Sequence, residues 1–250
     1  MTQTAATRAR VVTSLTAVAL AAWAGVATAQ TVEEIIHANI EASGGEEALA
    51  KITALRRVGE ISVKTTYAGT MTGTVEATVA PGEGLFQDTD LGPFSSKTGW
   101  DGTVGWERGA MGPRKIEGAE LPLMAQRSHT NHFLGLRRFG PEGVTYEKLP
   151  DKTLGDVPHD VVQVGGSLPT QQVYIDKATH LISLLTVDYD VPNLGKARIS
   201  ARSWDYRAYG GVMLPNTATF DIEGLFTSEV TYTETVLNEQ VDRGIFTAPE

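Results

Sequence analysis

Glu60-Ile61-Ser62-Val63-Lys64-Thr65-Thr66-Tyr67-Ala68-Gly69-Thr70-Met71-Thr72-Gly73-Thr74-Val75-Glu76-Ala77-Thr78-Val79 alternates apolar and polar residues on both sides of Ala68-Gly69. On the first arm Ile61, Val63 and Tyr67 oppose Glu60, Ser62, Lys64 and Thr66. On the second, Met71, Val75, Ala77 and Val79 oppose Thr70, Thr72, Thr74, Glu76 and Thr78. A period of two marks a strand with one buried face, and a glycine-containing turn between two such strands marks an antiparallel hairpin.

The same signal recurs toward the C-terminus. Pro81-Gly82-Glu83-Gly84 is a turn, and short strands are expected around Leu85-Phe86 and Thr103–Trp106, separated by Asp101-Gly102. Gly109 to Gly118 reads as a loop. From Glu120 to Arg138 the period becomes helical, with Leu121, Met124, Ala125, His132, Phe133 and Leu136 on one side. Pro122 falls in the first turn, where proline is tolerated, and Gly140-Pro141 ends the helix. Strands resume at Val144–Leu149, Asp160–Gly165, Gln171–Asp176, Leu181–Tyr189, Lys196–Tyr206, Met213–Ile222 and Thr227–Leu237. About eleven strands with regular turn signals predict an antiparallel sheet or barrel.

Toward the N-terminus, Thr31-Val32-Glu33-Glu34 is a capping box, since the threonine hydroxyl and Glu34 can each satisfy a free backbone N–H of the other. Val32, Ile35, Ile36 and Ile40 follow on one helical face, and Gly44-Gly45 breaks the helix. A second short helix is expected with Ala48, Leu49, Ile52 and Leu55 inward. Helices this short are not stable alone and must lie on an apolar surface.

Residues 1–29 have the three parts of a cleaved secretory signal: Arg8 and Arg10, an apolar stretch from Val11 to Val26, and the small-x-small end Ala27-Thr28-Ala29. The expected mature chain, residues 30–250, is a single domain. The lone spacing Arg8-Ala9-Arg10 favours general export over the twin-arginine route. No cysteine is present, so neither a disulfide nor a lipid anchor at a cleavage-site cysteine is available. The expected location is therefore the periplasm, in soluble form. The whole chain carries a net charge of -9, and the signal removes two arginines and no acid, leaving the mature chain near -11. Nucleic acid is an unsuitable partner for that charge, and no second apolar run predicts transmembrane insertion.

A strongly twisted sheet of this size curls, and its concave face needs cover. The expected architecture is α+β, mainly β: a curled, half-open antiparallel barrel with the N-terminal helix and the central helix as a lid. Four stretches resemble the LolA/LolB-like superfamily of exported proteins. They are Val32–Ile52, Trp100-Asp101-Gly102-Thr103-Val104-Gly105-Trp106, Tyr206-Arg207-Ala208-Tyr209-Gly210-Gly211-Val212-Met213-Leu214-Pro215, and the closing Phe246-Thr247-Ala248-Pro249. The resemblance implies a half-closed barrel over an apolar cavity, and a carrier that holds lipoprotein acyl chains. It also implies an arginine of the sheet that holds the lid; Arg198, Arg202 and Arg207 lie on expected strands.

The expected ligand-lining residues are Trp100, Trp106, Leu121, Met124, Phe133, Leu136 and Trp204. The expected partner is a lipid or an acylated lipoprotein, with an envelope protein as a further partner. No cofactor and no catalysis are expected. His129-x-x-His132 supplies two of the three or four ligands that zinc needs, and His159 and His180 are distant in sequence. Asp188-Tyr189-Asp190 and Glu33-Glu34 pair acids without a defined cleft, and Gly165-Gly166-Ser167 lacks the glycine that a nucleophile elbow requires. The competing expectation is a non-catalytic envelope assembly module with no small ligand; a transmembrane barrel and a hydrolase fit less well.

Overall fold

Leu55, Arg57, Gly59, Ile61 and Val63 extend the alternation of the first hairpin backwards, and all five are buried in strand β1 (Leu55–Thr65). The computed structural model describes residues 30–118, 120–129, 143–167, 169–191 and 195–249. From β1 the chain steps outward through β2 (Gly69–Ala80), β3 (Gly84–Asp90), β4 (Ser96–Trp100), β5 (Gly105–Gly109) and β6 (Gly112–Ile116). Helix α3 (Glu120–His129) then begins the connection from that edge to the opposite edge. From there β7 (Val144–Leu154), β8 (Val157–Gly166), β9 (Gln171–Asp176), β10 (Ile182–Val191), β11 (Gly195–Tyr209), β12 (Val212–Ile222) and β13 (Phe226–Leu237) step back to the centre. β13 pairs with β1 from Leu55↔Leu237 to Thr65↔Phe226, through a bulge at Val58/Gly59.

The result is one thirteen-stranded sheet in the order β6-β5-β4-β3-β2-β1-β13-β12-β11-β10-β9-β8-β7. Every neighbouring pair is antiparallel. Edges β6 and β7 do not pair with each other, so the curled sheet stays half open. The count exceeds the expected eleven because Ser96–Trp100 and Gly112–Ile116 are also strands. The expected loop at Gly109–Gly118 is in fact a hairpin, with Gly109 paired to Gly112, and the strand expected from Thr103 begins at Gly105.

The N-terminal capping box forms as expected: Glu34 N–H donates to Thr31 Oγ1 at 3.2 Å and Thr31 N–H donates to Glu34 Oε2 at 2.8 Å. It starts α1 (Val32–Ala42), which ends where Gly44 and Gly45 take φ of 122° and 83°. Helix α2 (Glu46–Ala50) is shorter than expected. Leu55 lies outside it as the first residue of β1, yet it still packs on Leu49. The expected signal, residues 1–29, and the expected helix continuation beyond His129 lie outside the described residues. Among the described residues, no helix is long and apolar enough to cross a membrane.

Register places one continuous inner face across the sheet. Val79 lies opposite Leu85, which lies opposite Trp100; on the other side Ile61 lies opposite Val230, which lies opposite Ala218. All three helices pack on this face. Ile35 and Ile36 of α1 meet Val162, Val164, Val173, Ile175 and Ile182. Leu49 of α2 meets Leu55, Val212 and Leu214, and Met124 of α3 meets Val79, Leu85, Trp100 and Ile116.

Candidate functional site

Among the described residues, the helices cover one half of the inner face. Their contacts fall toward the Leu55 end of β1, the Val79 end of β2 and the Leu237 end of β13. Toward the opposite strand ends the same alternation continues into a separate apolar cluster. Ile61, Val63 and Val75 are buried there, with Met71, Leu91, Phe226 and Val230 packed around them. No helical residue belongs to this cluster among those described. Phe220, across the ladder from Ser228, is 37% exposed, and its ring centre lies 5.9 Å from that of Phe226. The inner face thus runs from a packed core to an apolar strip that keeps contact with solvent.

Arg57 is an inward residue of β1 and lies toward its helix-covered end, only 2% exposed. Its Nε donates to Thr235 Oγ1 at 3.1 Å, and its guanidinium carbon lies 3.4 Å from the ring centre of Tyr232. Burial pulls the Arg57 pKa down from its ordinary value, against the opposing influence of Tyr232, Tyr209 and Tyr206. Burial likewise pushes the Tyr206 and Tyr232 phenols up. The Tyr206 hydroxyl donates to the Ile182 carbonyl at 2.6 Å, and that of Tyr209 to Asn216 Oδ1 at 3.1 Å. Above this floor, Arg127 of α3 donates through Nη2 to Gln87 Oε1 of β3 at 2.9 Å. Its pKa is also lowered by desolvation, although its side chain still reaches solvent.

Of the expected lining residues, Trp100, Leu121 and Met124 come together on the inner face beneath α3. Trp106 does not join them. It sits in register with Gly99 on the outer face, where its Nε1 donates to the Phe246 carbonyl at 2.7 Å and its ring centre lies 6.3 Å from that of Phe86. The closing Phe246, within a 3-10 turn at Arg243–Phe246, packs over this tryptophan's side of the sheet. Gly84 and Gly99 make the packing possible, since a Cβ on either would lie 2.3 Å from the Phe246 or Trp106 ring. Trp204 is also on the outer face, opposite Thr217 and 41% exposed. Strand parity thus places both tryptophans on the face opposite Trp100. Phe133 and Leu136 lie outside the described residues.

Sequence reasoning missed Arg57. Counting the alternation two strides back from Ile61 points it inward. Of the expected strand arginines, Arg198 Nε binds Asp188 at 2.9 Å and Arg207 binds Asp205 at 2.7 Å, and all three arginines, Arg202 included, are exposed. His159 is buried with Nδ1 2.8 Å from the Val157 carbonyl oxygen. His132 lies outside the described residues. Among the described residues, no three His, Asp or Glu side chains gather as metal ligands would.

No family model matches the chain, and no curated protein matches it. Solved structures do. A LolA superfamily protein from Nitrosomonas europaea superposes with a TM-score of 0.58 at 11% identity, over 88% of this chain and 99% of that one. An outer membrane lipoprotein-sorting protein domain from Vibrio parahaemolyticus gives 0.53 at 12%, over 86% and 95%. A DUF1329 family protein from Desulfovibrio piger gives 0.53 at 9%, over 85% and 97%. The curled open sheet, its inner-face helices and these superpositions together establish that this chain has the LolA-like fold.

Proposed function

We propose that this protein is exported to the periplasm and there binds and carries a lipid, an acyl chain or another apolar ligand between its curled sheet and the helices on its inner face. The observation that carries this reading is the apolar strip of Ile61, Val63, Met71, Val75, Phe226 and Val230, with Phe220 beside it in contact with solvent. A fold that needed only stability would gain by covering that surface, because each buried methylene contributes about 0.8 kcal/mol. About ten methylenes laid along the strip would gain roughly 8 kcal/mol, the scale of a micromolar dissociation constant before association costs. The role is non-catalytic. The likeness in fold to the Vibrio parahaemolyticus lipoprotein-sorting protein domain makes an acylated lipoprotein a reasonable cargo here. The residues proposed to line the ligand are those of the open strip with Phe220, bordered by Trp100, Leu121 and Met124 at the covered end; Phe133 and Leu136, also expected to line it, lie outside the described residues.

The test is native mass spectrometry of the protein purified from the periplasmic fraction, followed by organic extraction of whatever accompanies it. A bound lipid or acylated species supports the carrier and names the ligand class. A bare polypeptide mass that persists after incubation with envelope lipids contradicts it. That outcome would favour the second reading, a non-catalytic assembly module, for which the unpaired edge strand β7 offers backbone groups to a partner strand.

A further inference from the structure

Resting on the apolar-ligand reading, we propose that the ligand is an amphiphile with an anionic headgroup, its tail on the open strip and its headgroup held by Arg127, with Arg57 adding positive charge from behind Tyr232. Three observations meet here. Arg127 projects from α3 on the inner-face side, bonded to Gln87 of β3, and its side chain is exposed. Among the described residues its partners are neutral: Gln87 Oε1 at 2.9 Å and Met124 Sδ at 3.9 Å. A second guanidinium, that of Arg57, stacks 3.4 Å from the centre of the Tyr232 ring, and Tyr232 feels the charge of both arginines.

An apolar ligand alone would expel water from around Arg127 and give nothing in return, which is costly for a cation. A carboxylate or phosphate restores what water supplied, because its oxygens match the planar donor fork of a guanidinium. Arg57 is buried, so its charge reaches an arriving anion through protein, which screens it less than water does. The strip begins on the same strands that carry the arginine floor: Arg57, Ile61 and Val63 share β1, and Tyr232, Val230 and Phe226 share β13. Head and tail therefore follow one direction along the sheet.

The experiment compares oleate with methyl oleate, which has the same chain and no charge, by titration calorimetry on the purified protein. Oleate is expected to bind about tenfold or more tightly, the scale of one charge-assisted hydrogen bond. Arg127→Gln is expected to reduce that preference to below about threefold, while Arg127→Lys, which keeps the charge, retains most of it. Equal affinity for the two probes in the unaltered protein overturns the headgroup proposal and leaves apolar binding standing. A preference that survives Arg127→Gln also overturns it. Displacement of oleate by millimolar inorganic phosphate would mark a free-anion site and overturn the amphiphile assignment. Binding of neither probe overturns both this inference and the proposed function.

Discussion

The two halves of the inner face share strands β1, β2, β12 and β13 and the same alternation, yet they end differently. At the covered end Leu55 and Leu214 are sealed from water by Leu49 of α2, and Val162, Val164 and Ile175 by Ile35 and Ile36 of α1. At the open end the alternation is as apolar, but Phe220 remains 37% exposed and Met71, Leu91, Phe226 and Val230 only partly buried. The first half is spent on holding the fold together. The second is apolar beyond what its described neighbours cover, which is the property a reversible ligand site needs.

Mutations should separate the halves. Leu214→Ala at the covered end removes a fully buried side chain and should cost about 2–5 kcal/mol, whereas Phe220→Ala should cost under about 1 kcal/mol. Urea unfolding of both variants checks this, and equal losses would erase the distinction between the halves. Trp106→Phe sharpens it from the outer face. Loss of the buried bond to the Phe246 carbonyl should lower stability by about 1–3 kcal/mol while ligand binding stays as it was. If binding fell with stability, the outer face would be part of the site.

The tyrosines beside Arg57 give the covered end a pH signature. Burial raises the Tyr206 phenol above its ordinary value of 10.0, so the folded chain keeps a proton that the unfolded chain releases. The resulting stability is fully present below pH 10. It declines as the pH rises from there to the folded pKa, by up to about 1.4 kcal/mol per pH unit for each such group. Tyr206→Phe should flatten that alkaline decline, measured as unfolding midpoints from pH 8 to pH 11. An unchanged slope would mean that this phenol does not contribute.

The period-two runs and the capping box carried most of the architecture, because each is a local pattern with one physical solution: Thr31–Glu34 and Gln171–Asp176 fall where the residues say. β4 and β6 were less legible. They are five residues each, and glycine and Pro113 blur their alternation, so only pairing with neighbours makes them strands. The site was half legible. Trp100, Leu121 and Met124 share the inner face because helix period and strand parity agree. Trp106 and Trp204 offer apolar surface, but apolar surface carries no information about parity; one residue of offset sends a side chain through the sheet. Arg57 was hidden for the opposite reason. A charged residue at an inward position looks like an interruption of the pattern until the tyrosines that receive it, from strands distant in sequence, are in place.

The central claim is that ligand binding belongs to the open half of the inner face. The most direct measurement is titration of a fluorescent fatty acid into the protein and into two variants, Phe220→Glu and Trp204→Glu, each placing a charge at a partly exposed aromatic on opposite faces of the sheet. The account predicts that the unaltered protein binds the probe, that Phe220→Glu weakens binding about tenfold or more, and that Trp204→Glu leaves it unchanged. Loss of binding in Trp204→Glu with Phe220→Glu unaffected would contradict it.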